Sequence, residues 1–178
     1  TRSLTRTNLV QQTVTTSADG NTRTLSTTAV NYSNSVHGWY FNLPATRERV
    51  VTNPLVRGDV VLFTTTIPDS DPCLGGGTGW LMAANFLTGG STADIEFDVN
   101  GDGVLDEYDR TAGGDTVEGK KLDPGLGMPS DTACMGNNCY ISGTNVVEGD
   151  EVSKTDVKDL GGIGTGRLGR IGLRIDPD

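Results

Sequence analysis

Histidine is nearly missing from this sequence: His37 is the only one in 178 residues. No serine, cysteine or acidic pattern accompanies it, so no catalytic triad is supported. Zinc lacks ligands for a similar reason. The three cysteines, Cys73, Cys134 and Cys139, make one close pair, and His37 is remote from it. Aromatics are few at 6%, and long helix-forming runs are scarce, so helix is at most a minor component. Positive charge is in deficit. Fourteen Lys and Arg against 23 Asp and Glu give a formal net charge of −9, whereas nucleic acid and anionic membranes both require a basic face. No stretch approaches the ~20 apolar residues of a membrane span. The start carries no signal-peptide pattern, and a mature or trimmed chain would look the same. Gly75 to Gly79 lacks the lysine and helix that follow a phosphate loop.

What is present is turn-and-strand composition. Glycine stands at 25 residues, about twice the usual ~7%, and threonine is abundant. The hydrophobic content of 34% leads us to expect a core that neighbouring segments complete, so the chain reads as a piece of a larger protein. The length fits a single all-β region over residues 1–178.

Leu9 to Thr16 and Thr22 to Val30 read as hairpin arms joined through Asp19-Gly20. An aromatic cluster, His37 to Pro44, follows. Val50-Val51 leads through Asn53-Pro54 to Leu55-Val56, and Val60 to Thr66 is the return strand. The turn between them is Arg57-Gly58-Asp59. This tripeptide is one that integrins read, but turn chemistry already accounts for it. Trp80 to Gly89 is a strand running into a turn, and Ile95 to Phe97 is a short strand feeding an acidic loop. Arg110 to Pro129 has little periodicity. Strands resume at Asp131 to Met135 and Cys139 to Ser142, a pattern that brings Cys134 and Cys139 within disulfide reach and suits an oxidising compartment. Residues 147–166 read as flexible, and Arg167 to Ile175 as a last short strand. Trp39 and Trp80 read as core anchors. Short strands with regular turn signals suggest a sandwich, barrel or propeller.

The chemistry concentrates in Asp98 to Asp109, which fits the twelve-residue calcium loop. Side-chain oxygens fall at positions 1, 3, 5 and 9: Asp98, Asn100, Asp102 and Asp106. Gly103 occupies the sharp turn at position 6. Val104 at position 7 offers its carbonyl and can pack its side chain inward. Asp109 stands at position 12 in place of the usual glutamate. Calcium takes ~6–8 hard oxygens, and alternate residues on a tight loop aim theirs at one centre. Magnesium demands a smaller octahedron and is the weaker candidate. The flanks lack the amphipathic helices of a sensor, so the role expected is structural.

Several blocks resemble one family. They are Gly38-Trp39-Tyr40, Leu43-Pro44, Glu48-Arg49-Val50-Val51, Phe63-Thr64-Thr65, Ile67-Pro68, Asp71-Pro72-Cys73, Gly75-Gly76, Trp80-Leu81-Met82 and Thr88-Gly89. With the hairpin around Gln12-Thr13 and Arg23-Thr24 and the acidic loop, they cover about residues 9 to 110. They are similar to the C-terminal part of the type IV pilus biogenesis and tip-adhesin family, PilY/PilC. The resemblance implies an all-β fold made of blades of a quinoprotein-like β-propeller, here partial, with a calcium-binding inter-strand loop. It implies calcium at Asp98, Asn100, Asp102, Val104 and Asp106. It implies a bacterial cell-surface or extracellular location, a role in pilus extension against retraction, and attachment. Pilin or minor pilin subunits at a pilus tip are the implied partners, with a host or surface receptor as a further candidate. No catalytic role is expected.

Two other readings compete. A dockerin-like calcium module shares the Asp-Val-Asn-Gly-Asp-Gly run, but requires two loops and helices. A quinoprotein enzyme is suggested by the Trp-Leu-Met and Thr-Gly blade motif alone, and this chain cannot close a propeller around a cofactor.

Overall fold

A computed structural model describes residues 5–32, 35–71, 76–102, 104–135 and 138–144. The chain is all-β over these residues, with ten strands, three short 3-10 turns and no α-helix among them. The strands are β1 (Leu9–Gln11), β2 (Val14–Thr16), β3 (Thr22–Leu25), β4 (Gly38–Tyr40), β5 (Leu55–Arg57), β6 (Val60–Pro68), β7 (Gly77–Asn85), β8 (Gly119–Lys121), β9 (Ala133–Met135) and β10 (Asn138–Tyr140). Six form one open sheet in the order β2-β3-β8-β7-β6-β5. The dockerin-like alternative lacks its flanking helices here. No helix among the described residues is long and apolar enough to cross a membrane.

The sheet is built around β6 and β7, which pair antiparallel from Val60↔Asn85 to Pro68↔Gly77. Both are rich in β-branched, aromatic and small residues, and both are buried on both faces. Alternation splits their side chains between two cores. Val60, Leu62, Leu81 and Ala83 join Phe97, Val117, Leu122, Leu126 and Ile141 on one face. Val61, Phe63, Trp80, Met82 and Ala84 join Leu25 on the other, where Trp39 and Phe41 also pack. Both tryptophans therefore serve the core, as their size suggests. Trp39 lies flat against Gly89, and Arg23 sits 3.8 Å above the Trp80 ring.

The hairpin from Leu55 to Thr66 forms as expected. Gly58 and Asp59 make the two-residue turn, with Gly58 at φ 60° in the left-handed region. The N-terminal hairpin differs from its sequence reading. Only β2 pairs with β3, while β1 runs parallel to β4. Gln12 is the cause. Fully buried between the two short strands, its side chain donates to the carbonyls of Thr28 and Thr88 at 2.7 and 2.8 Å. It also accepts from the Ser26 hydroxyl at 2.6 Å. That network fixes where one strand ends and the next begins.

Two further expectations are corrected. Ile95 to Phe97 does not form a strand of a ladder; Phe97 turns into the core instead. The stretch from Arg110 to Pro129 is not featureless, because β8 lies inside it, at the centre of the sheet between β3 and β7. Of the later strands, Ala133–Met135 and Asn138–Tyr140 form, and Cys134 stands opposite Cys139 in the register. The segments 147–166 and 167–175, Cys73 and Gly103 lie outside the described residues.

Candidate metal centre

The acidic loop leaves the core at Phe97 and returns through a 3-10 turn, Glu107–Asp109. Between these points its side chains fold onto its own backbone. Asp98 Oδ1 accepts from the Gly101 N–H at 2.6 Å, and Asn100 Oδ1 from the Asp102 N–H at 2.9 Å. Asp102 Oδ1 accepts from the Val104 N–H at 2.8 Å, and Asp106 Oδ1 from the Tyr108 N–H at 2.9 Å. Each is a short Asx-type turn in which one side-chain oxygen serves the backbone and sets the orientation of the group. Gly101, at φ 81°, allows the reversal between Asn100 and Asp102.

The loop is tied to the sheet at one end. The Lys120 ammonium, from β8, donates to the Asp98 carbonyl. Asp98 itself is 8% exposed, whereas Asn100 and Asp102 are exposed. Val104 also faces solvent, at 54% exposure, which corrects the expectation that it packs inward. Val99 takes that place and packs against the core.

Asp109 lies apart from the other candidates in its surroundings. Its side chain has no exposed surface and accepts three backbone hydrogen bonds, from Val99, Asn100 and Asp106. Among the described residues, no three histidine, cysteine, aspartate or glutamate side chains already converge as a metal-ligating group. The expected ligand set draws on an asparagine and a backbone carbonyl as well. Its donors are hard oxygens at alternate positions of a turned loop, the chemistry that suits calcium.

Two buried glutamates near the loop escaped the sequence reading. Glu96 is 2% exposed and its Oε2 has no hydrogen-bond partner. Burial, then the negative charges of Asp94, Asp59 and Glu118, push its carboxyl up to about 8. Glu118, fully buried on the strand side, accepts from the Leu25 N–H and the Ser91 hydroxyl, each at 2.8 Å, and from Thr116. Burial raises it as well, against the opposing effect of those hydrogen bonds.

No protein-family model matches the chain. Curated relatives do. Over 138 residues, 69% of this chain, it is 31% identical to the type IV pilus biogenesis factor PilY1 of Pseudomonas aeruginosa. A solved structure titled as the Pseudomonas aeruginosa PilY1 C-terminal domain superposes with a TM-score of 0.59 and 25% identity, covering 80% of this chain. The chain carries a PilY1-family C-terminal region. It is also 39% identical over 69 residues, 35% of its length, to a PilY1 homolog of Xylella fastidiosa. The chain spans only 11% of the length of the first of these PilY1 relatives and 31% of the solved domain.

Proposed function

We propose that this chain is a calcium-binding structural and adhesion module of a type IV pilus-associated surface protein. In this reading the open six-stranded sheet is part of a β-propeller that other segments of a longer parent complete. Its partners are pilin or minor pilin subunits at the pilus tip, with a surface receptor as the attachment target. The role is structural and adhesive, with no catalytic step.

One observation carries the calcium reading. Asp98, Asn100, Asp102 and Asp106 recur at alternate positions, each with one oxygen fixed by a turn and the whole loop anchored to β8 through Lys120. These residues and the Val104 carbonyl would hold the ion. Calcium supplies no reaction here; it cross-links the loop and neutralises its clustered carboxylates. Resemblance to PilY1 supports the pilus role, and an outward-facing location follows from it.

The experiment is a thermal melt with and without calcium. A ligand at ~1,000 times its dissociation constant adds about 4 kcal/mol to stability. Calcium is expected to raise the melting temperature, chelation to reverse the rise, and Asp102→Ala to remove the response. A melting curve indifferent to calcium in the wild type overturns the metal reading. In a cell carrying the full-length parent, the same substitution is expected to reduce surface pili; unchanged piliation and attachment overturn the pilus half.

A further inference from the structure

A loop that collects carboxylates must hold its shape against their mutual repulsion. In the twelve-residue pattern the last position ordinarily supplies a bidentate ligand, and spacing alone assigns that role to Asp109. Its contacts point elsewhere. Oδ1 accepts from the Val99 N–H at 2.6 Å and from the Asn100 N–H at 3.2 Å. Oδ2 accepts from the Asp106 N–H at 3.1 Å. The first two donors belong to the limb that enters the loop, and the third to the limb that leaves it. One carboxylate therefore bridges both limbs.

Its position makes that bridge hard to replace. Asp109 is completely buried and ends the 3-10 turn that Asp106 caps. Oδ1 already serves two donors, which fills its two lone-pair directions. Turning the carboxylate toward a cation would weaken its part-buried hydrogen bonds to the amides of Val99, Asn100 and Asp106.

We infer that Asp109 is a positioning residue and not a metal ligand. It ties Val99 and Asn100 to Asp106, and so holds Asp98, Asn100, Asp102, the Val104 carbonyl and Asp106 around one centre. The calcium half of this inference rests on the reading above; the tie itself needs no metal. The five loop donors fall short of the ~6–8 oxygens that calcium takes, so water completes the shell where a twelfth-position carboxylate would otherwise sit.

The test combines two measurements on the whole chain. Melting in excess chelator reports the tie, and terbium luminescence decay in H2O and D2O counts the waters on a bound lanthanide. For Asp109→Asn, the chelated protein is expected to melt about 3–6 °C lower, with the water count unchanged. A ligand predicts the reverse: a melt unchanged or higher, because a repelling charge is gone, and one or two additional waters. Either result overturns the inference. Asp109→Glu guards against a variant that fails to fold. It restores the usual twelfth residue, so affinity rises if the position ligates. Affinity falls, by tenfold or more (about 1.4 kcal/mol), if the longer side chain displaces the tie. If the wild type binds neither terbium nor calcium, the metal reading fails, and the chelated melt still decides whether Asp109 holds the loop.

Discussion

Arg23 and Glu48 meet as a two-pronged ion pair, with N–O distances of 2.6 and 2.8 Å and side chains 1% and 0% exposed. The guanidinium is sandwiched against the Trp80 ring, while Glu48 also accepts from the Thr65 hydroxyl and the Ala45 N–H. The pair thus joins β3, β6 and β7 to the turn before Arg49. Removing one partner leaves the other charged and buried. Glu48→Ala is expected to cost about 3–5 kcal/mol, read as a lower urea midpoint. A shift under about 1 kcal/mol, typical of exposed pairs, would contradict this account.

Acid and alkali should act on different carboxylates. Burial alone would raise Glu48, but the hydrogen bonds from Arg23 and Thr65, with the Arg23 charge, outweigh it and hold the group below its ordinary value. Its contribution is present above the unfolded value and is lost as pH falls through the lowered one. Glu118 behaves oppositely, because burial raises it. The folded state keeps a proton that the unfolded state releases, so stability declines as pH rises from the ordinary carboxylate range. Glu118→Gln is expected to make the decline above the ordinary carboxylate range shallower. Melting temperatures from that range upward check it; parallel wild-type and variant profiles would refute it.

Gly89 is where the tip of β7 meets an aromatic ring. Its φ is 67°, and a Cβ there would lie 2.0 Å from the Trp39 ring. Gly89→Ala combines overpacking with left-handed strain, so a loss of about 2–4 kcal/mol is expected. Trp39 fluorescence should shift with it. Chemical denaturation with a wild-type midpoint would show that the ring can move aside without cost.

Cys134 and Cys139 occupy directly opposed positions on β9 and β10, the backbone arrangement a cross-strand disulfide needs. The expected outcome is one reactive thiol per unfolded, unreduced chain, from Cys73. Three thiols would exclude the bridge. Reduction is expected to cost about 2 kcal/mol, the loop-closure value for so short a ring.

Much of this architecture was legible from residue order. Val60 to Thr66 and Trp80 to Asn85 announce themselves by β-branched and aromatic runs, and Gly58-Asp59 by turn chemistry. β8 was hidden because its residues, Gly119, Lys120 and Lys121, carry no apolar signal. Gly119 is required because a Cβ would lie 2.6 Å from Met82 Sδ and 2.8 Å from Arg23 Cβ, a constraint set by strands distant in sequence. Gln12 was unreadable for a related reason, since its partners come from Ser26, Thr28 and Thr88. At the loop, spacing identified the acidic residues but assigned Asp109 by analogy. Only the burial of that carboxylate and the amides around it distinguish a tie from a ligand.

The place of β8 has a consequence for how the chain assembles during synthesis. β2 and β3 can pair as soon as they emerge, and β5, β6 and β7 can form their own meander. No strand ladder joins the two pieces until Gly119 arrives beside Arg23, roughly a hundred residues later in the sequence. The sheet is therefore closed from its middle, after the acidic loop has been made. A nascent polypeptide halted before that strand would leave the facing edges of β3 and β7 unpaired and adhesive.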